Sequence, residues 1–154
     1  MNVTLKEAIR TCLGKYVTFS GRAARSEYWW FQLFVWVGLI GLFGIGLAVA
    51  LLFGARMTGN PQQLNSMMVI PAILPGLFFL AMFLPSLSVQ VRRFHDRGLS
   101  GWWILAIGVA GLVPYVGTLI SLVPLVITML KGNPGANRFG PDPLRAEHSA
   151  DVFA

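Results

Sequence analysis

Polar and apolar positions alternate at helical spacing in one stretch near the start of the chain, where Leu5, Ala8, Ile9, Cys12, Leu13, Tyr16 and Val17 recur at three- and four-residue steps. That spacing predicts an amphipathic helix. Thr4 and Glu7 stand where a capping box would open it. Lys6, Arg10 and Lys15 fall on or beside its polar face, and a basic side chain near anionic lipid gains about 1 kcal/mol. Residues 1–20 are therefore expected to lie along a membrane surface. Beyond them the pattern changes to three long apolar runs, 28–53, 67–91 and 102–130. No Asp, Glu, Lys, Arg or His occurs in 31–53, 67–91 or 102–130. Each run reaches or exceeds the roughly 20 residues a helix needs to cross a bilayer. Insertion of one ionised group at a helix centre would cost about 2.5 to 3.5 kcal/mol.

The pattern predicts an all-α, polytopic helical membrane protein. Composition agrees: 55% of the residues are hydrophobic and 12% charged, with a mean hydropathy of +0.66, more apolar surface than a soluble core of 154 residues could hide. The first run begins at Tyr28 and is too long for the core of a signal peptide, so it is expected to stay in the mature protein. A single cysteine, Cys12, rules out an intramolecular disulfide. The net charge of +6 is what cytoplasmic loops of a membrane protein accumulate, and no nucleic-acid partner is expected.

The third run is the hard one. About 29 residues in one helix would measure roughly 43 Å, against a hydrocarbon core of about 30 Å. Pro114 and Gly117 offer a turn near its middle. Five Lys and Arg precede the first run, Arg56 alone follows it, three lie between the second and third runs, and three follow Leu130. A hairpin in the third run would put eleven of the twelve on one side, as the positive-inside tendency favours. About four hydrophobic helices follow, over 28–53, 67–91, 102–113 and 116–130, the last two a short or re-entrant hairpin, with both termini cytoplasmic in a multi-pass inner-membrane topology. Tyr28, Trp29, Trp30, Trp102 and Trp103 would anchor helix ends at the cytoplasmic interface. The polar stretch 54–66 is expected as a periplasmic loop, the membrane domain to run over 21–143, and 144–154 to be a disordered tail. Gly38, Gly41, Gly44 and Ala48 predict a groove for close helix packing, and Pro71, Pro75 and Pro85 predict kinks in the second span.

The polar residues collect in three segments that this topology brings to one surface: Gly21-Arg22-Ala23-Ala24-Arg25-Ser26-Glu27-Tyr28-Trp29, then the stretch from Arg92 to Trp103, and Gly132 to Pro141. Together they contain G-R-x-x-R-x-E-Y-W, R-x-H-D-x-G-x-S-G-W-W and G-x-N-x-x-G-P. In this order, separated by apolar runs, the chain resembles the domain of unknown function 805 family, the YhaH-like small bacterial inner-membrane proteins, over roughly residues 16–143. The resemblance implies a multi-span inner-membrane protein and no established activity.

Arg22, Arg25, Arg92, Arg93 and Arg97, with His95, read as a candidate site for anionic lipid, because a guanidinium presents a planar fork of donors to phosphate. The opposing reading is that they set topology and form ion pairs. Glu27 and Asp96 could pair with them, Ser100 could cap the helix near Trp102, and Asn137 joins the same polar cluster. His95 beside Asp96 invites acid–base chemistry, but adjacent side chains rarely aim at one point. No metal site or cofactor is expected, since a zinc site needs more ligands than two histidines and one cysteine supply. The leading expectation is a non-enzymatic membrane protein whose basic-aromatic cytoplasmic face meets anionic membrane lipid, a protein partner or a second copy of the chain. A channel or transporter subunit shaped by the three prolines is one alternative, and a lipid-headgroup enzyme using His95 and Asp96 another.

Overall fold

The computed structural model describes residues 3–54 and 61–144, and their regular structure is helical apart from one isolated bridge between Asn137 and Gly140. The helices are α1 (Leu5–Gly14), α2 (Arg25–Gly54), α3 (Pro61–Asp96), α4 (Trp102–Ala110), α5 (Val116–Ile120) and α6 (Leu122–Met129). Of the expected tail 144–154 only Leu144 is described, in a short helical turn with Pro143, and the rest of it and the centre of the expected loop, 55–60, lie outside the described residues. The rest of that loop is not a loop. α3 starts at Pro61, where a proline is favoured because the first helical N–H has no partner in any case, and Gln62 and Gln63 extend the helix with good formers.

Contacts divide the chain into one unit of residues 1–31 with 85–154 and another of 32–84. In the 32–84 unit, α2 and α3 run antiparallel. A Cβ on Gly38 would come within 2.7 Å of the Phe78 ring, and one on Gly46 within 2.5 Å of Pro71 Cα. Phe34 meets Phe78 edge-on with centroids 6.1 Å apart. The packed face of α2 therefore runs through Val35, Gly38, Gly46 and Ala50. This corrects the groove expected from sequence: Gly41, Gly44 and Ala48 lie on the exposed side, because the helical period carries the contact line through 38 and 46. α3 continues as one helix through all three prolines, and Pro71 is buried against Gly46. Most large apolar side chains of these helices face outward, including Trp36, Ile40, Leu52, Ile73 and Leu80. Two segments, Arg25–Leu52 and Pro71–Asp96, are long and apolar enough to cross a membrane, and a soluble core helix would instead bury such residues.

In the other unit, α1 opens with the expected capping box: Glu7 N–H donates to Thr4 Oγ1 at 3.4 Å and Thr4 N–H to Glu7 Oε2 at 2.8 Å. These bonds hold the Glu7 carboxyl below its ordinary range. One edge of its apolar face, Ala8 and Cys12, is buried, while Leu5 and Leu13 stay exposed. The run 102–130 turns back, with α4, α5 and α6 packing on one another. The turn is closed by short-range bonds, Leu112 N–H to Val109 O and Val113 N–H to Ala110 O, both 3.1 Å. Tyr115 holds φ at 64° there, a left-handed geometry that few non-glycine residues adopt.

Candidate functional site

A helix ends with four carbonyls that lack partners within the helix, and at the end of α6 arginines supply them. Arg93 donates through Nε to Thr128 O at 3.3 Å and through Nη2 to Leu130 O. Arg25 reaches Met129 O at 3.5 Å, and Arg97 Nη1 reaches Lys131 O at 2.6 Å. Three cations thus meet the negative end of the helix. Since Arg93 and Arg97 lie just before α4, both ends of the run 102–130 are tied to one place.

Asp96 sits at the centre of this network. Arg22 donates from Nε to Oδ1 at 2.9 Å, with Nη2 2.7 Å from the same oxygen, and Arg93 Nη1 donates to Oδ2. The remaining Arg22 donors reach Asn133 O at 2.6 Å and Gly135 O at 2.5 Å. The Asp96 carbonyl accepts from Asn133 N–H at 2.9 Å. Residue 132 must be glycine here, because a Cβ would overlap the Asp96 carboxylate. The G-N-P-G-A-N-R-F-G segment is thereby wrapped around one buried acid.

A second buried pair lies between α2 and α3, where Arg92 Nη1 donates to Glu27 Oε1 at 2.7 Å. Cys12 from α1 completes it, its Sγ 3.7 Å from Glu27 Oε1. Burial first, and then the Glu27 charge, push the Cys12 thiol up to about 12, against an opposing pull from Arg92. Arg92 Nε is buried without a hydrogen-bond partner. The Arg92 carbonyl also accepts from Ala23 N–H at 3.1 Å, so the loop before α2 is fastened to α3 by backbone as well as side chain.

His95 and Asp96 turn to different partners. The His95 ring stacks on Phe139 with centroids 3.9 Å apart and planes 1° from parallel, and its Nδ1 lies 3.1 Å from Gly21 O. Arg138 lies 4.7 Å from the Phe139 centroid, within cation–π range, and donates to Gly98 O at 3.1 Å. Asn137 donates to His95 O at 2.9 Å and accepts from Phe139 N–H at 2.9 Å. Ser100 Oγ accepts from Trp102 N–H at 3.5 Å, while Gly101 occupies the cap position of α4.

The charged and aromatic residues around the network therefore separate into two groups. Arg22, Arg92, Arg93, Glu27 and Asp96 are buried and bonded to one another or to backbone. Arg25 is exposed, as are Lys131, Arg138, Trp29, Trp30, Trp102 and Trp103, with Trp102 77% accessible. Tyr28 is buried and donates to Gln90 Oε1 at 3.4 Å, which places it among packing residues. Sequence reasoning missed Cys12, Lys131 and Phe139. The capped α6 carbonyls were also missed, since a backbone acceptor leaves no mark in residue identity. Beside the network lies a cavity of about 250 Å³, lined by Arg25, Arg93, Asp96 and Lys131 among others. Among the described residues, no three His, Cys, Asp or Glu side chains gather as metal ligands would.

The family model described as "Protein of unknown function (DUF805)" matches residues 16–141. The chain belongs to this family. The DUF805 match takes in all three polar segments that build the network, and begins just after α1. Inner membrane protein YhaH of Escherichia coli (strain K12) is 39% identical over 131 residues, covering 85% of this chain and 91% of that protein. Inner membrane protein YhaI of the same strain is 37% identical over 131 residues, covering 85% and 90%. Uncharacterized protein YiiR of that strain is 28% identical over 152 residues. No solved structure matches the chain. With two long, outward-facing apolar helices and these relatives, this DUF805 chain is a bacterial inner-membrane protein.

Proposed function

We propose that the chain is a non-enzymatic membrane protein that holds anionic lipid against a basic-aromatic face on the cytoplasmic side. The observation that carries this reading is the split between buried and exposed charge. Glu27 and Asp96 are buried against arginines, whereas Lys6, Arg10, Lys15, Arg25, Lys131 and Arg138 remain exposed together with Trp29, Trp30, Trp102 and Trp103. Cations and indole rings left outward in this way suit the headgroup layer of an anionic leaflet. The divergence of His95 and Asp96 supports a non-enzymatic role, because no acid–base pair forms between them.

The same reading orients the chain. α2 and α3 cross the bilayer. α4, nine residues long, measures only about 13 Å at 1.5 Å per residue, so the run 102–130 enters the membrane and returns as a re-entrant hairpin. The ties from Arg93 and Arg97 to Leu130 O and Lys131 O support this return. Both termini are then cytoplasmic.

The test is native mass spectrometry of the protein released from bilayers of mixed phosphatidylcholine and phosphatidylglycerol. Enrichment of phosphatidylglycerol over its bulk fraction is expected. Co-purified lipid matching the bulk composition would refute the lipid reading.

A further inference from the structure

The cavity beside Asp96 differs from the network it adjoins in having charge left over. Arg22 and Arg93 are saturated by Asp96 and by backbone carbonyls. Arg25 on the cavity wall makes one long bond, 3.5 Å to Met129 O, and is otherwise exposed. Lys131, on the same wall, is exposed and its ammonium bonds to no protein group among the described residues. Both cations line one partly open cavity, where an anion would relieve their mutual repulsion.

We propose that this cavity binds a phosphate group, held by the guanidinium of Arg25 and the ammonium of Lys131. The backbone favours the same sign of ligand. Ala24 and Arg25, where the thirty-residue α2 begins, both line the cavity, so the positive end of a long helix dipole lies at its wall. The acids on the wall are already engaged: Asp96 is matched by two arginines, and Asp142 accepts from Gly135 N–H at 3.2 Å and Leu144 N–H at 3.0 Å. The volume of about 250 Å³ is below the roughly 300–1,000 Å³ of pockets for drug-sized ligands, which suits a phosphate with a short substituent rather than a nucleotide. Trp29 follows Arg25 by one helical turn and is exposed. A phosphate at Arg25 therefore has an interfacial indole beside it, as a lipid headgroup would.

The inference deepens the lipid reading by naming one bound phosphate, but the same chemistry would take free phosphate, and the experiment separates the sources. Wild type, Arg25→Gln/Lys131→Gln and the control Arg56→Gln, which removes a charge outside the proposed basic face, are compared in two assays. In the first, phosphatidylglycerol retained on gradual delipidation is counted by native mass spectrometry; in the second, thermal unfolding in neutral detergent is followed against inorganic phosphate. One lipid retained by wild type and control, and at least about tenfold less by the cavity variant, identifies a lipid phosphate; two lost charge-assisted bonds imply no smaller effect. A saturable rise in Tm with inorganic phosphate, absent only from the cavity variant, identifies a free phosphate. If the cavity variant matches wild type in both assays, or wild type responds in neither, the site does not exist. General enrichment of anionic lipid surviving that result would leave the surface reading standing. Phosphate binding at the cavity without lipid enrichment would remove the surface reading alone. Lys131→Gln by itself removes a side chain with no structural bond and keeps the test decisive should the double variant fail to fold.

Discussion

Replacing Asp96 with asparagine keeps the shape of the side chain and removes the charge that two buried guanidiniums share. One amide oxygen could still accept from Arg22 Nε, but the amide nitrogen would then face Arg93 Nη1, donor against donor. At an effective dielectric of about 20, unit charges about 4 Å apart attract by about 4 kcal/mol, and Asp96 makes two such pairs. Part of that is not lost, because Arg22 keeps the carbonyls of Asn133 and Gly135, and Arg93 those of Thr128 and Leu130. The net loss expected on removing one partner from a buried pair is about 3–5 kcal/mol. It should appear first in the wrapped segment, whose Asn133 N–H bonds to the Asp96 carbonyl. Hydrogen exchange of peptides covering 131–144 should accelerate between about a hundredfold and a few thousandfold in Asp96→Asn. Exchange within about fivefold of wild type would refute the claim that this carboxylate holds the segment in place.

Three further outcomes follow from the packing. Gly46→Ala sets a methyl against Pro71 Cα and should destabilise the protein by about 1–3 kcal/mol, whereas Gly44→Ala, with open space around it, should not; thermal unfolding in detergent distinguishes them, and equal effects would overturn the assigned helix face. Cys12 should resist alkylation at pH 8 in the folded protein and react once it is unfolded. Because its folded thiol is raised from an ordinary 9.0 to about 12, the stability it contributes is intact below pH 9 and is lost as pH climbs towards 12, a loss that Cys12→Ala should abolish in pH-dependent unfolding. Reporter fusions at the two termini should both read as cytoplasmic, and a periplasmic carboxyl terminus would exclude the re-entrant hairpin.

How far the sequence could be read depended on whether the partner of each residue was a solvent or another residue. The apolar runs are chosen by lipid, so their length was legible, and so was the capping box of α1, where both partners are side chains three residues apart. The break inside 102–130 was legible from Pro114 and Gly117. The packed face of α2 was not, because Gly38, Gly41, Gly44 and Gly46 offer two overlapping stripes and only the opposing helix selects between them. The arginines were legible as a cluster but not as a core. The burial of Arg93 goes with carbonyls at the end of α6, some thirty-five residues downstream. Phe139 gave no periodic signal, and its role rests on lying flat against His95.

The arginine ties also set an order of events in making the protein. Arg22, Arg93 and Asp96 all leave the ribosome before the backbone groups of residues 128–135 that complete their bonding. Glu27 and Arg92 can pair as soon as α3 is formed, but Arg93 and Arg97 lack the carbonyls of residues 128–131 until α6 and the residues just after it have been made. The segment that follows α6 is thus the one that closes the network around Asp96. A chain truncated after Met129 would carry every described helix and still present an unlatched polar face, with Arg22 deprived of the carbonyls of Asn133 and Gly135. Closure of the arginine network is in this way coupled to synthesis of the segment after α6.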